Sequence, residues 1–314
     1  MSTPFAALLF LISLAATLAA SALFARRLDA LGVRLGIPEA LLGLLTALAA
    51  DGPELSSGLT AMVRGQNGVG VGVLIGSNLF NLAAMVGLSA LLAGSVRLDR
   101  PALTLEGAFA LFVIAVAGGV LFGPLGAWPA VVLLAAAAIP YLVLLGRGTF
   151  HGAQAPRPPR EHSAAAIAGL FARELPAVAV IIAGSVGMVY TAVLLADRVG
   201  LPRPLVGLLL LATLTSLPNA ATAIRLGLRG RGEALVSETL NSNTINLSIG
   251  ILIPAALVGL GAGANGLGTD YAWMAAVTVA TLVLVGRRGG AGRLAGGAIV
   301  VAYLAYVVVR VAVA

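Results

Sequence analysis

The sequence predicts an all-α membrane protein: ten transmembrane helices forming two inverted five-helix repeats, with helices 2, 3, 7 and 8 broken around a central site. Three observations predict it. Hydrophobic residues make up 60% of the chain and charged residues only 10%, with a mean hydropathy of +1.04, a balance that a water-soluble domain of this length would not survive. The apolar runs are about 20 residues long, as a helix needs to be to cross about 30 Å of hydrocarbon, whereas barrel strands would be half that length and would alternate. Finally, polar residues beside a helix breaker interrupt the runs twice, in related form, about 165 residues apart.

Read in order, the runs are 5–24, 37–63, 67–94, 101–123, 127–146, 174–196, 203–228, 233–260, 270–286 and 294–313. Met1-Ser2-Thr3-Pro4 lacks the basic flank of a signal peptide, so the first run reads as a retained helix. The chain has no lysine, and arginine alone sets the orientation. Loops after the odd-numbered runs hold Arg26, Arg27, Arg34, Arg97, Arg100, Arg147, Arg157, Arg160, Arg173, Arg225, Arg229, Arg231, Arg287, Arg288 and Arg293, leaving four arginines elsewhere. Those loops are expected to face the cytoplasm of a bacterial-type plasma membrane, with both termini outside. The net charge of +7 is then a topology signal with some attraction to anionic lipid, and nucleic acid is not an expected partner. Absence of cysteine excludes disulfide and thiolate chemistry.

The polar stretch 147–173 holds Pro156, Pro158, Pro159 and both histidines, His151 and His162, and reads as a cytoplasmic linker. It divides the chain into a first half, 1–146, and a second, 174–314. Five helices is an odd number, so the second half enters the membrane with opposite polarity. The two histidines in a proline-rich loop read as solvated rather than as a metal or proton sensor. Gly65, Gly68, Gly70, Gly72 and Gly76 read as positions of close helix packing rather than as a phosphate loop.

Within 37–94 stand Ala50-Asp51-Gly52-Pro53-Glu54 and Gly76-Ser77-Asn78-Leu79-Phe80-Asn81. Within 203–260 stand Thr215-Ser216-Leu217-Pro218-Asn219 and Asn241-Ser242-Asn243-Thr244-Ile245-Asn246, with the same Pro-to-Ser spacing of 24 residues. Proline removes a backbone donor and clashes with the preceding turn, so Pro53 and Pro218 are expected to break helices 2 and 7 and free carbonyls as ligands. Asp51 and Glu54 then share one side of a broken helix, opposite Thr215, Ser216 and Asn219. The four-residue intervals place Ser77 with Asn81, and Ser242 with Asn246. Polar groups at such depth are tolerated where they line a polar cavity, the plan of a secondary transporter. Every candidate ligand is an oxygen donor, which suits Ca2+, Na+ or H+ and argues against zinc or copper.

At these residues the chain resembles the calcium/cation antiporter superfamily, the sodium/calcium and proton/calcium exchangers, whose two alpha repeats carry a Thr-Ser-Leu-Pro-Glu type motif followed by a Gly-Ser-Asn-Ile-Phe-Asn type motif. The resemblance covers 37–94 and 203–260. It implies alternating access, with helices 1 and 6 sliding past a site built by helices 2, 3, 7 and 8. The departures concern charge: Asn219 stands where the family has glutamate, Asn241 replaces glycine, Ile245 replaces phenylalanine, Asp51 stands where a serine is usual, and Glu238 where an asparagine is usual. Acidity is thus concentrated in the first repeat. Two adjacent carboxylates balance one Ca2+, two Na+ or two protons, and their mutual repulsion favours a shared proton.

Glu238 reads either as a third ligand or as a wet vestibule carboxylate near Arg225 or Arg229; Glu106 and Asp270, near the starts of their runs, read as interfacial. The leading functional expectation is an antiporter exchanging Ca2+ for H+ or Na+, with no bound cofactor and as a monomer. The alternatives are a monovalent cation/proton antiporter, a channel, and a relative that has lost transport. An intramembrane enzyme is disfavoured, since both histidines lie in the linker and Asp51 is the one clearly buried aspartate.

Overall fold

The computed structural model describes residues 1–35, 39–97, 100–146, 172–260, 266–287 and 290–313. Almost all of the predicted linker, with His151 and His162, lies outside the described residues. The helices are α1 (Thr3–Leu35), α2 (Glu39–Ala50), α3 (Gly52–Val63), α4 (Asn67–Ala93), α5 (Arg100–Leu121), α6 (Ala127–Gly146), α7 (Leu175–Val199), α8 (Arg203–Leu228), α9 (Gly232–Val258), α10 (Gly268–Val285) and α11 (Arg293–Ala312). Among the described residues, nine helices are long and apolar enough to cross a membrane. The predicted second span contributes none of the nine because it is split at Asp51 into α2 and α3, of twelve residues each.

That split follows from Asp51-Gly52-Pro53. Asp51 has φ −77° and ψ 0°, outside the helical basin, and Pro53 opens α3 at a position where no N–H is needed. The missing donor leaves the Ala49 carbonyl without its helical partner. The Ser21 hydroxyl of α1 donates to it at 2.9 Å and also lies 3.2 Å from the Ala50 carbonyl.

Helices 3, 7 and 8 correct the expectation of four broken helices. Pro218 lies inside an uninterrupted helical run, Ala212–Leu228. One proline costs a helix a single backbone bond, and packing on both sides holds the rest. Regularity is lost instead through π-helical turns: Leu82–Leu88 in α4, Val206–Leu211 in α8 and Ser248–Leu252 in α9. The last ends two residues before Pro254, whose ring would crowd the carbonyl of a tighter turn.

Burial sorts the helices. In α4, 94% of the most apolar window is buried and in α9 72%, against 11% in α6 and 17% in α11, so α4 and α9 form the centre. Leu8, Leu11, Ile12, Val132, Ile139, Val301 and Val308 of the outer helices are exposed, as lipid-facing side chains are. Glycine sets the closest crossings. A Cβ on Gly76 of α4 would lie 2.1 Å from the Leu208 carbonyl oxygen of α8, and one on Gly70 would lie 2.6 Å from the Gly58 carbonyl oxygen. The packing role expected of these glycines holds there, whereas Gly65, with φ +73°, makes the turn between α3 and α4. Likewise α1 meets α7 where a Cβ on Gly184 would be 2.2 Å from Thr17 Oγ1. A short antiparallel pair, β1 (Ser95–Val96) with β2 (Ala291–Gly292), clips the loop after α4 to the loop before α11.

Candidate cation site

The split between α2 and α3 aims two carboxylates into the centre of the bundle, and both Asp51 and Glu54 are fully buried. Partners come from the other half. Asn219 of α8 donates from Nδ2 to Asp51 Oδ1 at 2.8 Å, and Ser242 of α9 donates its hydroxyl to the same oxygen at 2.7 Å. Ser216 of α8 donates to Glu54 Oε1 at 2.9 Å, and the Asn219 amide reaches that atom at 3.5 Å. One amide therefore spans both carboxylates.

The network continues through the asparagines. Asn81 donates to Ser242 Oγ at 3.1 Å and to Asn243 Oδ1 at 3.2 Å. Asn78 and Asn243 donate to each other's backbone carbonyls at 3.0 and 3.1 Å, and Asn246 donates to Asn78 Oδ1 at 3.0 Å. Asn78 also faces the Met274 sulfur of α10 at 3.6 Å.

Of the twelve sequence-predicted ligands, nine are thus joined in one connected network. Ser77 is buried beside it, with its hydroxyl 3.5 Å from the Ala212 carbonyl. Thr215 is also buried, but its hydroxyl turns back onto the Leu211 and Ala212 carbonyls of its own helix. Glu238 is half-buried, one turn before Ser242.

What the network leaves unsatisfied is informative. Asp51 Oδ2, Glu54 Oε2, Asn81 Oδ1 and Asn246 Oδ1 are buried with no hydrogen-bond partner. All four are acceptors. The ion pairs Arg27–Glu174, Arg203–Asp197 and Arg310–Asp270 do not involve Asp51 or Glu54, and among the described residues no arginine is paired with either. Two buried carboxylates with neutral donors and no basic neighbour are costly unless something positive joins them. Among the described residues no three His, Cys, Asp or Glu side chains cluster, so the donor set is two carboxylates plus neutral oxygens, suited to a hard cation.

Two carboxylates expected at the interface are buried against neighbouring helices. Glu106 is 2% exposed and accepts from Ser237 of α9 at 2.6 Å. Asp270 is 1% exposed, paired with Arg310 Nε at 3.0 Å and accepting from Tyr306 at 2.8 Å. Asp51 is therefore not the sole buried aspartate, but Asp270 is neutralised by α11. Sequence reasoning also missed Ser21, although the four-residue stripe Ser13, Thr17, Ser21 on α1, all buried, was a signal for a polar face turned inward.

The sequence profile of the sodium/calcium exchanger protein family matches residues 5–146 and 175–312. The chain belongs to this family. Within it, the chain is 26% identical over 292 residues to the putative antiporter CaxA of Alkalimonas amylolytica, covering 87% of this chain and 88% of that one. It is 27% identical over 283 residues to the inner membrane protein YrbG of Escherichia coli, covering 85% and 86%. Its fold resembles the sodium-calcium exchanger NCX_Mj, with a TM-score of 0.67, 18% identity, and coverage of 98% and 99%. It also resembles the H+/Ca2+ exchanger CAX, with a TM-score of 0.73, 15% identity, and coverage of 96% and 82%.

Proposed function

We propose that the chain is a secondary active antiporter that exchanges Ca2+ for H+ or Na+ by alternating access at the Asp51–Glu54 site. The observation that carries this reading is the set of four sealed acceptor oxygens around two carboxylates without a basic partner. The exchanger family and the activities named for NCX_Mj and CAX agree with it. In this reading Asp51 and Glu54 supply the charge; Asn81, Asn246, Ser77 and Asn78 supply neutral oxygens; Ser216, Asn219, Ser242 and Asn243 orient them, and Thr215 supports α8 from behind.

The reading includes ten crossings, α2 and α3 together making the second, in two inverted halves. The hydrogen bonds support this. Shifting each residue by about 165 to its counterpart in the other half, upward from the first and downward from the second, converts the Asn219–Asp51 bond into the Glu54–Ser216 bond with its ends exchanged, and likewise interchanges the two Asn78–Asn243 bonds. The Asn81–Asn243 and Asn246–Asn78 bonds form a third such pair. The β1–β2 clip joins two loops that the arginine distribution assigns to the cytoplasm. The membrane is then the bacterial inner membrane, the work is transport rather than catalysis, and one chain suffices.

A reconstituted flux assay with Ca2+, Na+, K+ and H+ gradients tests the proposal. Exchange is expected in the wild type and not in Glu54→Gln, which keeps the shape of the side chain. Exchange among monovalent ions with no Ca2+ flux would select the monovalent cation/proton antiporter, since two such ions also balance two carboxylates. Wild-type flux in Glu54→Gln would overturn the site, and a steady current without counter-ion would mark a channel.

A further inference from the structure

We infer that Glu238 is a cation-capturing carboxylate on one of the two access routes to the Asp51–Glu54 site, and that the opposite route has no equivalent; this rests on the antiporter reading above. Glu238, Ser242 and Asn246 recur every fourth residue of α9, one above another along one side, with roughly 6 Å of rise between neighbours. The middle member donates to Asp51 at 2.7 Å, and the last donates to Asn78. The first lies one turn towards Gly232, where α9 begins.

Exposure changes along this ladder. Ser242 is 1% exposed and Asn246 fully buried, as are Asp51 and Glu54, whereas Glu238 is half-buried. The ladder therefore opens at Glu238 and is closed before the central carboxylates. Arg225, on the neighbouring α8, donates from Nε to the Ala221 carbonyl of its own helix at 3.0 Å. Glu106 faces α9 at Ser237, about 100° around the helix from Glu238, and does not share its side. A cation moving along this side of α9 towards Asp51 meets the half-buried Glu238 carboxylate first.

The first half breaks the pattern. The 165-residue offset that relates the two asparagine clusters aligns Ser242 with Ser77, Asn246 with Asn81, and Glu238 with Val73. Val73 is fully buried and packs in an apolar cluster with Phe10, Met188 and Val206. In inverted halves, equivalent positions lie on opposite sides of the central site. One route is therefore guarded by a carboxylate and the other by a methyl-bearing plug. The carboxylate lies on the side of the Arg225–Arg231 loop, which the arginine distribution makes cytoplasmic. A fixed negative charge in a low-dielectric vestibule concentrates counter-ions and speeds their capture, by tenfold or more, so the protein gathers Ca2+ more readily from the cytoplasm than from outside.

The test is Ca2+ concentration dependence measured separately from each face, in right-side-out and inverted membrane vesicles. Glu238→Gln is expected to raise the half-saturating Ca2+ about tenfold at the cytoplasmic face and to leave the outer face unchanged, with the difference shrinking at high ionic strength. Glu238→Asp, which keeps the charge, is expected to retain the low value. An equal rise at both faces would make Glu238 a ligand of the central site and overturn the inference. No rise at either face, with the wild type exchanging normally, would overturn it and leave the antiporter reading intact. No wild-type exchange would remove that reading and this inference with it.

Discussion

Asp51→Asn is the sharpest probe of the site, because it changes charge while keeping shape. In the structure Asp51 Oδ1 receives both hydrogen bonds, from Ser242 at 2.7 Å and Asn219 at 2.8 Å, while Oδ2 has no partner. An asparagine oxygen at the first position accepts the same two bonds. Its amide nitrogen takes the second position and presents a donor where a cation needs an acceptor. One unit charge about 4 Å from another is worth about 4 kcal/mol at the effective dielectric of about 20 that describes protein sites. At about 1.4 kcal/mol per factor of ten, that is roughly a thousandfold in affinity, and a divalent ion loses more. The unliganded protein should be no less stable, since a buried charge without a counter-charge has been removed. The assay is a melting-temperature titration of purified protein with Ca2+ and Na+, alongside radiolabelled Ca2+ uptake. At a concentration 1,000 times the wild-type Kd, about 4 kcal/mol of ligand stabilisation is at stake. A variant whose unliganded melting temperature matches wild type and whose Ca2+ affinity falls by less than about tenfold, 1.4 kcal/mol, would refute the assignment of Asp51 as a ligand.

Two further substitutions address the partners of the carboxylates. Asn219→Asp replaces the amide that reaches Asp51 at 2.8 Å and Glu54 at 3.5 Å with a third acid; it should lower the melting temperature of the unliganded protein and enlarge the stabilisation by Ca2+, and equal values in both conditions would place Asn219 away from the ion. Arg310→Ala strips the counter-charge from Asp270, which is 1% exposed; chemical denaturation should record a loss of about 3–5 kcal/mol, much of it recovered in Arg310→Ala with Asp270→Asn, and a neutral single variant would show that the pair is not sealed from water.

The polar cluster was legible because serine, asparagine and paired acids are conspicuous in apolar runs, and because the same spacing occurs twice. Its assembly was legible too, since matched motifs in opposed halves have to meet. Rotation about a helix was not. Glu106 and Asp270 stand near the starts of their apolar runs, a position that suggests an interface, yet each turns towards a neighbouring helix and is buried there. Proline was a partial guide. At Pro53 the chain also offers Asp51 and Gly52, and the helix splits; at Pro218 no glycine stands beside the proline, and the helix runs on. The π-helical turns leave no composition signal, because an extra residue in a turn is decided by packing. Ser21 was overlooked because a stripe of small hydroxyls in an apolar run looks ordinary until the carbonyl that one of them binds has been freed elsewhere.

The arrangement of donors also bears on how the chain is made. Asp51 and its donor Ser242 are 191 residues apart, and Glu54 and its donor Ser216 are 162 apart. At ribosomal speeds of about 5–20 residues per second, the acids wait roughly 8–40 s before their partners exist. Throughout that interval both must stay hydrated or take up protons, because an ionised carboxyl without donors is too costly in lipid. The α2–α3 pair therefore reaches its final setting only after α8 and α9 have been synthesised, and maturation of the early part is bound to completion of the late one.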